Sequence, residues 1–128
     1  MSPENKAVLI LYALQEDEPD YEKTWRDFAT QTLERGGVRV REVNTLDPKI
    51  NLLRLCRSGR YQTIIVDRDT SEPFDRAFVE TLDKKGIKFV YRGLEDLERM
   101  RQAFRMGAAD FISNIALDPS QIQRVISL

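Results

Sequence analysis

Five short stretches of the chain are markedly less polar than their surroundings: Ala7-Val8-Leu9-Ile10-Leu11, Val38 to Val43, Thr63-Ile64-Ile65-Val66, Ile87-Lys88-Phe89-Val90-Tyr91 and Asp110-Phe111-Ile112-Ser113. Each has the length of a strand and is rich in β-branched or aromatic residues, whose side chains pack well on a pleated surface. The first and third are continuously apolar, as strands covered on both faces must be. The second alternates valine with charge (Val38-Arg39-Val40-Arg41-Glu42-Val43), the pattern of an edge strand with one wet face.

Between these stretches the period changes to that of a helix. Trp25, Phe28, Ala29, Thr32 and Leu33 recur at i, i+3, i+4, i+7 and i+8, and Gly36-Gly37 ends the run. Phe74, Ala77, Phe78, Thr81 and Leu82 repeat that spacing up to Gly86, with Pro73 in the first turn, where its missing N–H leaves nothing unsatisfied. Leu97, Met100 and Phe104 form a third stripe, closed by Gly107. Two more helices share a start signal. Asp47-Pro48 precedes the segment Ile50 to Arg57, and Asp118-Pro119 precedes Ile122, Val125 and Ile126. In each the aspartate can accept from free backbone N–H groups while proline presets φ. Five strands alternating strictly with five helices predict a parallel sheet covered on both faces, a three-layer α/β/α arrangement built from right-handed crossovers. Chemistry then belongs outside the carboxyl ends of the strands, at residues 12–20, 67–72, 92–95 and 114–117.

The 128 residues fit one domain, taken as 1–128, and a chain of that length can bury about two-thirds of its unfolded surface. Twenty basic and 21 acidic side chains give a formal net charge of −1, which argues against a nucleic-acid binder working by bulk electrostatics. The absence of histidine excludes serine–histidine triads and histidine zinc sites. A single cysteine, Cys56, cannot close an internal disulfide and suits a reducing compartment. No apolar run approaches the roughly 20 residues of a membrane span, and Ala7 to Leu11 is too short for a signal-peptide core. The expected location is the cytoplasm, with no membrane partner.

Two stretches resemble the receiver domain of bacterial two-component response regulators. Ser58-Gly59-Arg60-Tyr61-Gln62-Thr63-Ile64-Ile65-Val66-Asp67 is similar to the family's second helix end and third strand, which finishes on the phospho-accepting aspartate. Ala103-Phe104-Arg105-Met106-Gly107-Ala108-Ala109-Asp110-Phe111-Ile112 is similar to its fourth helix end and fifth strand. The resemblance spans roughly Lys6 to Leu128. It implies a flavodoxin-like, doubly wound sheet of order 2-1-3-4-5.

The same resemblance implies a reaction, and most of its parts are missing. In the family an aspartate accepts a phosphoryl group, an acidic pair after the first strand holds Mg²⁺, a threonine or serine follows the fourth strand and a lysine follows the fifth. Asp67 stands at the acceptor position. Tyr12 and Ala13 replace the acidic pair, Arg92 falls near the threonine and Asn114 takes the lysine's place, followed by Ile115. Positioning and charge neutralisation carry such chemistry, so these losses imply a degenerate, or pseudo-receiver, type: a signalling module that docks proteins without phosphotransfer, catalysis or cofactor.

Each candidate also has a plainer reading. Asp67 is either an acceptor or a polar residue finishing a strand and bonding the next loop. Arg92 is either a built-in cation beside Asp67 or a surface arginine. Glu16-Asp17-Glu18 form a solvated acidic loop or, with Asp67 and help from Asp69, a rearranged metal site; the alternative function, a working phospho-receiver using Mg²⁺, rests on that second reading. Phe111 stands at the family's switching aromatic but has no polar tip to favour an outward position, which points to a core ring. The segment Glu95 to Arg105 runs from acidic to arginine-rich, which complements a helix dipole. In the family this helix, with the fifth strand and fifth helix, forms the docking and dimer face, so Arg99, Arg101, Arg105 and Phe111 are the candidate contacts with a protein partner or a second copy. A last alternative comes from Asp67-Arg68-Asp69, whose spacing is similar to the nucleophile motif of haloacid-dehalogenase-type phosphatases; there, however, the motif opens the domain.

Overall fold

The computed structural model describes residues 6–12, 20–45, 51–58, 60–67, 76–93, 96–113 and 117–128. In chain order the elements are β1 (Ala7–Tyr12), α1 (Asp20–Arg35), β2 (Arg39–Asn44), α2 (Leu52–Arg57), β3 (Thr63–Asp67), α3 (Arg76–Lys84), β4 (Lys88–Gly93), α4 (Leu97–Arg105), β5 (Asp110–Ser113) and α5 (Pro119–Ile126). All five strands are parallel, in the order β2-β1-β3-β4-β5. This is the flavodoxin-like arrangement expected from the sequence. The continuously apolar β1 and β3 are central and buried, and the alternating β2 is an edge.

The sheet divides the core in two. Leu9, Leu11, Ile64, Val66 and Phe89 pack with Phe78, Leu82 and Ala103 on the side of α3 and α4. Val8, Ile10, Ile65, Val90 and Ile112 point the other way, against Trp25, Ala29 and Leu33 of α1 and Ile122 and Val125 of α5. Successive strand residues point to opposite faces, so neighbours along each strand supply the two sets in turn.

Three helices close alike. The N–H of Val38, Ile87 and Ala108 donates to the carbonyl of Leu33, Leu82 and Ala103, at 3.1, 2.9 and 3.0 Å, five residues back. Such a closure needs a left-handed residue just before the donor, which Gly37, Gly86 and Gly107 supply with φ of 83, 68 and 102°. Of the two expected aspartate–proline starts, the second is present: the Ser120 N–H donates to Asp118 Oδ1 at 2.9 Å. α2 begins at Leu52, and Asn51 accepts from the Arg54 N–H at 3.0 Å, because the asparagine side chain offers the same kind of acceptor nearer the apolar run. Asp47 and Pro48 lie outside the described residues, as do Pro73 and Phe74 of the expected third helix.

Two strand ends run further than the apolar pattern suggests, and both matter for the site. β3 includes Asp67 and β4 includes Arg92, two positions expected to begin loops. Asp67 and Arg92 are register partners across β3 and β4. They share parity with Ile65 and Val90, and therefore face α1.

Candidate functional site

At the carboxyl end of the central strands a carboxylate and two guanidinium groups lie out of water. Asp67 is 4% exposed and Arg92 fully buried. Arg92 Nη1 donates to Asp67 Oδ1 at 2.6 Å. A charge-assisted bond this short, between groups held in register on neighbouring strands, is a strong one. Of the two sequence readings of Arg92, the structure places the side chain as a cation beside Asp67 and not in solvent.

Helix α1 supplies the rest. Trp25, itself buried, lies under the Arg92 guanidinium, whose carbon is 4.1 Å from the ring centroid. The next residue, Arg26, brings Nη1 to 3.9 Å from Asp67 Oδ2 and Nε to 3.8 Å from Glu42 Oε1 on β2. Arg26 in turn lies over the Tyr12 ring, 4.0 Å from its centroid. Aromatic faces attract cations, and two such platforms hold the guanidiniums on either side of Asp67. The Glu42 side chain is 33% exposed, and its partial loss of water pushes the carboxyl above its usual range, against the opposing pull of Arg26. Among the described residues the charges of this group cancel: two carboxylates and two guanidiniums.

This arrangement answers several expectations. Tyr12, at the position of an acidic metal ligand, is a platform for a cation. Phe111 is buried and stacks on Tyr91, with centroids 5.7 Å apart, so it is a core ring and drops out of the candidate contact face. Arg99, Arg101 and Arg105 are exposed on α4. Ala13, Glu16, Asp17, Glu18, Asp69 and Asn114 lie outside the described residues. The described part of the pocket does not fit a divalent cation: both oxygens of Asp67 face guanidinium groups, and like charges would compete for one carboxylate.

Arg26 and Glu42 belong to this candidate site and are left out of the sequence reading, although a signal exists for the first. Arg26 stands three residues before Ala29 and seven before Leu33, both fully buried, so it occupies the inward stripe of α1 where a charge needs a partner. Glu42 carries no comparable mark, since an edge strand tolerates charge at most positions.

No family model matches the chain, and no curated protein matches it. Solved structures do. The signal receiver domain of the response regulator NarL from Mycobacterium tuberculosis superposes with a TM-score of 0.67 at 12% identity, covering 96% of this chain and 94% of that one. A pilus assembly-related protein of Burkholderia pseudomallei gives 0.66 at 14%, covering 99% and 93%. A two-component response regulator with a GGDEF domain gives 0.69 at 17%, where the match covers 98% of this chain but 49% of that one. The chain has the fold of a response-regulator receiver domain.

Proposed function

We propose that this chain is a cytoplasmic signalling module of pseudo-receiver type, in which an internal arginine–aspartate pair replaces phosphorylation and the fold serves to dock proteins. One observation carries this reading: the buried 2.6 Å bond between Arg92 and Asp67, within a group of charges that sum to zero among the described residues. An acyl phosphate on Asp67 would add about one further negative charge or more and displace the guanidinium from its carboxylate. Among the described residues the charges are already cancelled, and none of their cations is left over to receive that group. The resting contact instead resembles the charge pairing that a phosphorylated receiver achieves by reaction.

The partner-facing surface is the α4–β5–α5 side. Leu97 is 64% exposed and Leu117, just before α5, is also open to solvent, with the exposed Arg101 one turn on from Leu97 on α4. Exposed leucines with an arginine alongside suit a protein contact, either another protein or a second copy.

The test is incubation with acetyl phosphate and Mg²⁺, followed by intact-mass measurement. The expected result is an unchanged mass. A gain of one phosphoryl group that disappears in Asp67→Asn would establish the working phospho-receiver instead.

A further inference from the structure

The near-zero net charge of this chain conceals a strong separation. In a parallel sheet all strands begin at one end of the molecule, where the helices finish. Backbone bonds from Arg39 to Lys6 (3.0 Å), Gln62 to Ala7 (3.1 Å) and Lys88 to Gln62 (3.1 Å) set the starts of β2, β1, β3 and β4 in one row there. Four exposed basic residues close helices at this end: Arg35, Arg57, Lys84 and Arg105. Four more lie beyond the helices, at Arg39, Arg60, Lys85 and Lys88, all exposed. None of the eight forms an ion pair among the described residues.

Against these eight stand three exposed acids among the described residues, Glu34, Glu80 and Asp83, leaving an excess of five positive charges there. The whole chain carries −1, so everything else carries −6. Helix dipoles explain part of the pattern, since carbonyl ends attract cations. They do not explain it all. Five helix ends contribute about −2.5 charge, roughly half the excess, and four of the basic residues are not in helices.

Two bulky apolar side chains project at the same end. Phe104, in the last turn of α4, is 47% exposed, and Met106, just after it, is 39% exposed. They flank Arg105. This end is a broad row of turns, with no helix or ribbon among the described residues projecting to enter a nucleic-acid groove. Basic side chains around exposed apolar ones match an anionic bilayer surface, where the cations meet headgroups and the apolar tips enter the acyl boundary.

We infer that the strand-start end of the molecule, basic and tipped by Phe104 and Met106, adsorbs to an anionic lipid surface. Adsorption needs no spanning segment, so the lack of one among the described helices is no obstacle. It would hold the molecule with the Asp67 pocket and the Leu97 end of α4 pointing away from the bilayer, toward a partner.

Vesicle co-sedimentation tests this, using phosphatidylglycerol–phosphatidylcholine vesicles, pure phosphatidylcholine vesicles and, in parallel, a short DNA duplex. The native chain should sediment with the anionic vesicles only, and less as salt rises. Lys84→Glu/Lys88→Glu should lower partitioning by about tenfold or more. Lys23→Glu/Asn51→Asp/Ser120→Glu, which changes net charge equally but at the end where the helices start, should leave it within about twofold. Phe104→Ser should weaken it at fixed charge. Absence of anionic-vesicle binding at low salt overturns the inference, as does equal loss in both charge-reversed variants. Tighter binding to DNA with no effect of Phe104→Ser overturns it in favour of a nucleic-acid surface. These outcomes are independent of whether Asp67 accepts a phosphoryl group.

Discussion

The two ends of this sheet use the same side chains in opposite ways. At the carboxyl end, Arg26 and Arg92 are buried, each over an aromatic ring and each facing Asp67. At the amino end, Arg39, Arg57 and Arg105, like Lys84, Lys85 and Lys88, stand in water without an ion-pair partner among the described residues. A buried charge loses its hydration and must recover that energy from a nearby partner, so its position is dictated by the fold. An exposed charge keeps its hydration and contributes little to stability, so its position is open to recognition. The comparison teaches that arginine content alone predicts nothing here; depth decides whether a guanidinium locks a structure or offers a surface.

The largest effect should come from breaking the buried set on one side. Arg92→Leu leaves Asp67 charged and desolvated, with Arg26 at 3.9 Å as the remaining cation of the described set. Removing one partner of a buried pair costs roughly 3–5 kcal/mol, and the remaining arginine argues for the lower part of that range. Thermal unfolding followed by the single, buried Trp25 should show Tm lower by roughly 10 °C or more. Asp67→Leu/Arg92→Met, which removes both charges at similar volume, should recover most of the loss. A double variant as unstable as the single one would mean that the pair adds net stability beyond mutual compensation.

A second effect separates burial from charge pairing. Cys56 is 1% exposed within α2, and burial pushes its thiol from 9.0 up to about 11. The unfolded chain therefore loses this proton first as pH rises. Its contribution is constant below about pH 8 and is lost progressively between 9.0 and about 11, reaching about 2–3 kcal/mol. Cys56→Ala should be less stable by a constant amount at neutral pH but lose less on going to high pH. Parallel denaturation curves for the two proteins across the range from about pH 8 to about pH 11 would show that the thiol does not titrate with folding.

The fold was legible because two periods, 2 and 3.6, alternate along the chain and the glycines and Asp118 mark helix ends locally. What was not legible follows from range. Asn51 is hard to pick out as the start of α2 because Asp47-Pro48 offers a competing local signal four residues earlier. Asp67 and Arg92 each stand out in the sequence, one as a strand-ending acid and one as a cation in place of a hydroxyl. That they meet depends on the register of β3 against β4, which neither stretch contains by itself. Arg26 and Glu42 are less visible still, joined only when α1 and β2 are both laid over the carboxyl end of the sheet. The opposing charge of the two ends likewise exists only after every helix has been turned to run against its strand. Net charge, a sum over the chain, erases it.

The smallest effect tests the exposed half of the comparison. Reversing two charges in Lys84→Glu/Lys88→Glu alters groups that keep their water and have no ion-pair partner among the described residues. Stability should shift by no more than about 0.5 kcal/mol, and the direction depends on two small terms. A glutamate in place of Lys84, at the carbonyl end of α3, is unfavourable by roughly a few tenths of a kcal/mol. Relieving the repulsion among Lys84, Lys85 and Lys88 is favourable by a similar amount, and both shrink as salt screens them. Urea denaturation at low and high salt measures the balance. A loss near that of Arg92→Leu would show that these lysines hold the fold together, and would remove the distinction between a paired interior and a surface free to bind.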